Sequence, residues 1–398
     1  MTTFIDFLAE SAVPRRELDV FLDAKQPSWA QFDPELGYIL GSDTPRDGLD
    51  GCLTISTTLP NGARRSIIYA DRPCRINTYG NSFTQCHQVS DHETWQEYLA
   101  AHLGEPLRNF GVGGYGVYQA YRRMLREEAS DHGAEYLILY IWGDDHQRSL
   151  LRCRHALTHR WWDGKGGRLF HGNFWAHLEI DLEDGSFREV ENPLSTPEQL
   201  YRMSDPAFMV EALRDDLALH LIAYSHGLVE DAPVTGMNRL AELLDCPAVD
   251  WGDPDRARAQ AGVLRDRLGF RASQWIIRRT VTFASDNQKK VLLILFDPAA
   301  ARQLITTGTR YDQEMVDFLE EQQLRYFDMN RVHHEDYQNF AIPVEAYFKR
   351  YLIGHYSPAG NHFFAFALKD TLVDWLDPKP PTYRADDRQN LIDFCGYL

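Results

Sequence analysis

Cysteine is scarce in this chain: six in 398 residues, scattered at positions 52, 74, 86, 153, 246 and 395. They show neither the short paired spacing of zinc sites nor the density of a stapled secreted domain, so a disulfide framework and a structural metal are both excluded and free thiols are expected. Long apolar runs are also missing, since no stretch approaches the ~20 residues that span a bilayer. Positive charge is the rarer sign, with 41 Lys and Arg against 58 Asp and Glu and a net charge of −17. Such a balance repels phosphate backbones and anionic lipid, which removes nucleic acid and membrane from the expected partners. The start, Met1-Thr2-Thr3-Phe4-Ile5-Asp6, has no basic region followed by an apolar core, so no secretory signal is visible and a cytoplasmic location is expected. Internal repeats and low-complexity segments are absent as well.

What is present is a globular composition, 44% hydrophobic and 12% aromatic, with enough length for a large core. Residues 1–70 carry alternating segments such as Cys52-Leu53-Thr54-Ile55-Ser56 and predict a β-rich lead-in. From about residue 71 to 398 the pattern becomes strand and helix in turn, the signature of a mainly parallel α/β sheet covered on both faces. Strands are predicted at Arg75–Tyr79, Leu107–Val112, Tyr136–Trp142, Lys290–Phe296 and Leu324–Asp328, the third as a continuous apolar run suited to a central strand. Ser90-Asp91-His92-Glu93 reads as a capping box ahead of a helix that Gly104 stops, and a closing helix is predicted from Ala359 to Leu376. Residues 150–285 interrupt this rhythm and predict an insertion that acts as a lid. Its Trp161, Trp162, Phe174 and Trp175 suit either a stacking platform for a substrate ring or plain lid packing, and Gly164, Gly166 and Gly167 allow the lid's backbone to move.

Four short segments concentrate the chemistry. Gly80-Asn81-Ser82-Phe83-Thr84 places a hydroxyl between a strand and a helix, where backbone N–H groups lie beside it. Downstream come Asn109-Phe110-Gly111-Val112-Gly113-Gly114, then Gly143-Asp144-Asp145, then His355-Tyr356-Ser357-Pro358-Ala359-Gly360-Asn361. A hydroxyl, an imidazole and N–H donors are the groups that acyl transfer needs, and carboxyl ends of parallel strands are where they meet in open sheets. Other readings remain beside this one. Asp144 and Asp145 suit helix capping, and Gly111, Gly113 and Gly116 also fit a dinucleotide fingerprint. Cys86 reads as a half-buried thiol in the first turn of a helix, and His333-His334-Glu335-Asp336 as a solvated extended loop rather than a metal site.

Together these segments resemble the SGNH or GDSL-like hydrolases, and the wording around His355 leans toward the branch that includes alginate acetyltransferase-like proteins. The resemblance covers roughly residues 75–150 and 290–376. It implies a flavodoxin-like, three-layer α/β/α fold and a serine ester hydrolase or acyltransferase acting on a small O-acylated polar substrate, carbohydrates among the candidates, with no cofactor and no metal. Ser82 matches the nucleophile, His355 the general base and Gly114 an oxyanion-hole glycine. Asp144 stands where the family has the oxyanion Asn, and Asn81, Gly113, Asp145, Trp161 and Trp162 would line the substrate. Two departures are visible: a carboxylate at Asp144 cannot donate unless protonated, and the family's acid two or three residues before His is here Ile353 or Leu352. Asp328, Asp336 or a backbone carbonyl remain as holders of the ring. A non-catalytic binding protein on the same fold is the alternative, a dinucleotide enzyme the lesser one.

Overall fold

The computed structural model describes residues 2–23, 25, 29–161 and 173–384. The chain opens on helices Phe4–Glu10 and Arg15–Leu22, then a hairpin of β1 (Ala30–Asp33) and β2 (Gly37–Leu40). The lead-in is therefore mixed rather than β-rich. Thr3 and Asp6 cap the first helix reciprocally, a local signal that outweighs the alternation further along. Beyond the hairpin the alternating segments form only isolated bridges, Asp43 to Ser56 and Thr58 to Arg64.

The main sheet begins with β3 (Ile76–Tyr79), β4 (Arg108–Asn109) and β5 (Tyr136–Trp142). A small antiparallel pair follows, β6 (His177–Ile180) with β7 (Phe187–Val190), and the main sheet resumes with β8 (Lys290–Phe296) and β9 (Tyr326–Asp328). Its order is β4-β3-β5-β8-β9 and every pairing is parallel. The order in which strands are added thus reverses between β3 and β5, the switch point at whose carboxyl ends open sheets bind ligands.

Alternation along β5 and β8 splits the core in two. Leu137, Leu139, Ile141, Leu293 and Leu295 enter one cluster, while Tyr136, Ile138, Tyr140, Leu292, Ile294 and Phe296 enter the other. Helices Trp95–Leu103 and Pro358–Trp375 complete the second cluster through Trp95, Leu99, Phe364 and Leu368. Helix Val117–Glu128 and the long helix Pro254–Asp286 complete the first. That long helix fell inside the expected insertion, yet it covers the sheet, packing on β8 and on Val117–Glu128. Asp253 accepts from two N–H groups at its start with Pro254 in the first turn, a strong start signal that the reading of an insertion passed over. Among the described residues no helix is long and apolar enough to cross a membrane.

Arg64 ties the lead-in to the sheet. Its buried guanidinium donates to Asp91 at 3.0 Å and to the carbonyls of Gln85, Cys86 and Val89 at 2.8, 2.6 and 2.6 Å. Replacing it strands a buried carboxylate and three carbonyls, so Arg64→Met should cost about 3–5 kcal/mol, read as a shifted urea midpoint at constant slope.

Candidate active site

β3 ends at Gly80, whose φ of 151° and contact with Thr84 and the Tyr140 carbonyl leave no room for a side chain. Asn81 then caps the short helix Ser82–Gln85, its Oδ1 accepting from the Phe83 N–H at 2.7 Å. Ser82 is the first helical residue and is partly exposed. Its Oγ lies 2.7 Å from Nε2 of His355, which arrives from 273 residues downstream just before the closing helix. The structure thus brings together the two residues singled out as nucleophile and base. His362 is exposed on the closing helix, its ring edge-on to Tyr98.

The third position is occupied by Gln88, which sequence reasoning missed. Its Oε1 accepts from Nδ1 of His355 and from the His355 backbone N–H, each at 2.9 Å. Its Nε2 donates to the Asp47 carbonyl at 3.0 Å, which fixes which end of the amide faces the ring. A carbonyl-type oxygen on Nδ1 places the proton there and leaves the Nε2 lone pair for the Ser82 hydroxyl. Gln88 reaches this place in a left-handed conformation, φ 72°, and Gly354, φ 122°, makes room because a Cβ there would lie 2.6 Å from Oε1. Asp328 and Asp336 are not the partner. Asp328 pairs with Arg310 and caps helix Met329–Tyr337, and Asp336 accepts from Tyr347 and Tyr351 at 2.9 and 3.0 Å. Neither the two carboxylates nor the backbone carbonyl expected there holds the ring; a side-chain amide six residues after the serine does. The adjacent glycine before His355 was the available signal.

Burial pushes the His355 ring down, to about 3, helped by the charges of His87 and Arg148 and opposed by Asp47. The ring is neutral at ordinary pH, as a base must be, and its cation has no carboxylate on Nδ1 to stabilise it.

Two backbone donors are open for an oxyanion. Neither the Ser82 N–H nor the Gly114 N–H makes a hydrogen bond among the described residues, and Gly114 turns with φ 84°. The Gly114 loop is held against the nucleophile helix by Gln85, whose Oε1 accepts from the Gly113 N–H at 2.8 Å, and by the Val112 N–H on the Gly80 carbonyl at 3.0 Å. Asp144 does not complete the hole. It accepts from Gln147 at 3.0 Å and Arg148 at 3.3 Å; burial raises its pKa, but Arg148 and Arg154 outweigh that and hold it below the usual carboxylate value. It stays ionised and donates nothing. Beside it, a cavity of about 280 Å³ opens at the ends of β5 and β8, with Asp144, Gln147, Arg265 and Tyr311 in its wall.

Asn81, Gly113 and Asp145, expected at the substrate, spend their polar groups on the protein. Asp145 is buried; Oδ2 accepts from Asn81 Nδ2 and, at 2.8 Å, from the Trp142 N–H, while Oδ1 accepts from Arg148 at 3.0 Å. The link from β5 through Asp145 and Asn81 sets the start of the nucleophile helix. Burial raises the Asp145 carboxyl to about 7, against the pull of Arg148, Asn81 and the Trp142 N–H. A folded value above the unfolded one means that stability is fully present below the ordinary carboxylate range and declines as pH rises, here between about pH 4 and 7. Asp145→Asn should remove that slope, measured as urea midpoints across this range.

Trp161 ends helix His155–Trp161, but its side chain, Trp162 and Gly164, Gly166 and Gly167, on which the lid expectation rests, lie outside the described residues, whereas Phe174 and Trp175 are buried in the first core cluster and present no face to a substrate ring. Cys86 closes the nucleophile helix instead of starting it: left-handed, buried, its thiol pushed up to about 12 by burial and thus no rival nucleophile. The N–H groups of Gly111, Gly113 and Gly116 are taken by Asn109, Gln85 and Gln119, leaving none of them for a pyrophosphate. His333 is not on a loop; it is buried in helix Met329–Tyr337, hydrogen-bonded to Tyr347 and Tyr356. Among the described residues no group of acidic, histidine and cysteine side chains is arranged for a metal. No protein-family model matches the chain, and no curated protein matches it.

Proposed function

We propose that the protein is a serine ester hydrolase or acyltransferase that works through an acyl-Ser82 intermediate, on a flavodoxin-like α/β/α fold similar to that of the SGNH hydrolases. The observation that carries this reading is the 2.7 Å contact of Ser82 Oγ with His355 Nε2, in the tautomer that Gln88 imposes. The chain order of the five main strands supports the fold part, because the second strand lies outside the first and the others follow on its far side. His355 takes the Ser82 proton as Oγ attacks the ester carbon, and the Ser82 and Gly114 N–H groups receive the oxyanion. The leaving alcohol is protonated, the acyl group rests on Oγ, and water or a second alcohol removes it. A small O-acylated polar compound, carbohydrates included, is the proposed substrate.

A fluorophosphonate probe tests this directly. Stoichiometric labelling of Ser82, lost in Ser82→Ala and greatly slowed in His355→Ala, is the expected result. Absence of labelling in the wild type would instead favour the binding-protein reading, to which the ionised Asp144 and the neutral Gln88 lend their weight.

A further inference from the structure

A second imidazole stands against the first and the mechanism above leaves it unused. The His87 ring stacks on that of His355, centroids 5.1 Å apart and planes within 10°. His87 Nε2 lies 2.8 Å from Asp47 Oδ2, and Asp47 Oδ1 is fixed by the Thr54 hydroxyl at 2.7 Å. This carboxylate is held below its usual pKa: burial raises it, and the bonds from His87 and Thr54 more than compensate. Trp29 tilts against the His87 ring with centroids 5.7 Å apart, and its edge abuts Gly113 next to the oxyanion loop. The wall of the site therefore runs Gly113, Trp29, His87, His355. The remaining ring nitrogen of His87, Nδ1, makes no hydrogen bond among the described residues, and the side chain is 25% exposed.

The division of labour is asymmetric. His355 has a neutral amide behind it, whereas His87 has the Asp47 carboxylate, which orients the ring and supplies a counter-charge to it. In the tetrahedral adduct the alkoxy oxygen lies two covalent bonds from Ser82 Oγ, and the ring next to the one that contacts Oγ is that of His87. On the acyl-serine reading, we infer that His87, held by Asp47, is the acid that protonates the leaving alcohol and the base that deprotonates the incoming one, while His355 serves Ser82 alone.

The protons balance over the cycle. In acylation the Ser82 Oγ–H proton moves to His355 Nε2, Oγ bonds to the acyl carbon, the carbon–alkoxy bond breaks, and the alkoxide takes the Nδ1 proton of the His87 imidazolium. In deacylation the acceptor hydroxyl gives its proton to His87 Nδ1 as its oxygen bonds to the acyl carbon. The carbon–Oγ bond breaks and Ser82 recovers its proton from His355. No oxidant, reductant or other co-reactant is needed.

The test compares leaving groups. His87→Gln keeps a donor for Asp47 and removes the titratable ring; acylation is followed with a p-nitrophenyl ester, whose phenolate leaves without a proton, and with an ethyl ester of the same acid, whose alkoxide does not. The expected result is a loss of about 10²-fold or more for the ethyl ester relative to the nitrophenyl ester, with a steeper dependence of rate on leaving-group pKa than in the wild type. Asp47→Asn, which retains the main-chain carbonyl that holds Gln88, should shift the same ratio in the same direction and serves if His87→Gln does not fold. Equal losses on both esters would reduce His87 to a packing element and overturn the inference, as would an unchanged ethyl-ester rate. A wild type that releases no burst of nitrophenol and takes no label at Ser82 would overturn the acyl-serine reading itself, and the inference with it.

Discussion

Ser82→Ala should lower turnover of short acyl esters by about 10⁶-fold while leaving the protein folded. The size follows from what the hydroxyl does. Without Oγ there is no acyl-enzyme, and the remaining groups, two N–H donors and a neutral imidazole, give only the residual catalysis of a binding site with an oxyanion hole. Folding is spared because Ser82 is partly exposed and its side chain meets only His355 among the hydrogen bonds of the site. A stability change below about 1 kcal/mol is expected from one lost hydrogen bond. Steady-state rates on purified material, with urea midpoints of both proteins, check the two halves. Activity that survives at more than a small fraction of the wild-type rate removes Ser82 from the nucleophile's place.

Gln88→Leu should be the next most damaging change, costing up to about 10⁴-fold in kcat, comparable to imposing the wrong tautomer on a triad histidine. Leucine removes the acceptor that fixes the Nδ1 proton and the ring plane, while Ser82, the oxyanion donors and the core remain. Asp328→Asn and Asp336→Asn should leave kcat unchanged, because their partners are Arg310, Tyr347 and Tyr351 and not His355. Gln88→Glu gives the sign. A carboxylate on Nδ1 favours the imidazolium, so the acidic limb of kcat/KM on an activated ester should move to higher pH than in the wild type. There the depressed His355 keeps its lone pair well below the ordinary imidazole range. Equal limbs in the two proteins would show that Gln88 does not touch the ring in solution.

The strands of the main sheet were legible because β5 and β8 are long unbroken apolar runs, and the closing helix because Ser357-Pro358 announces it. Ser82 and His355 were legible because each sits in a short, compositionally unusual segment at an element boundary. Gln88 was not, since amides are common on surfaces and its role depends on a left-handed turn and on a glycine far downstream. The Asp47–His87 pair was hidden for the same reason: it is made by tertiary contact between the lead-in and the loop after the nucleophile helix. The opening helices were not legible because alternation over residues 52–69 dominates the lead-in, while the capping pair at Thr3 and Asp6 marks only a seven-residue helix. His333 was placed on a loop because adjacent polar residues disguise a helix that Asp328 caps.

Ser82 and Gln88 ride on one short segment clamped by Arg64, so only His355 has to be recruited from afar. Assembling three groups from three distant places would require two loop closures; here one suffices, and its entropy grows only with the logarithm of the intervening length. Surface connections between residues 88 and 355, outside the strands of the main sheet and the Gly114 loop, could lengthen or shorten at modest thermodynamic cost, provided that the closing helix still docks on the Trp95–Leu103 helix. Recovered activity during refolding would then time the arrival of the C-terminal segment on a sheet whose β5 and β8 side chains already form its docking surface.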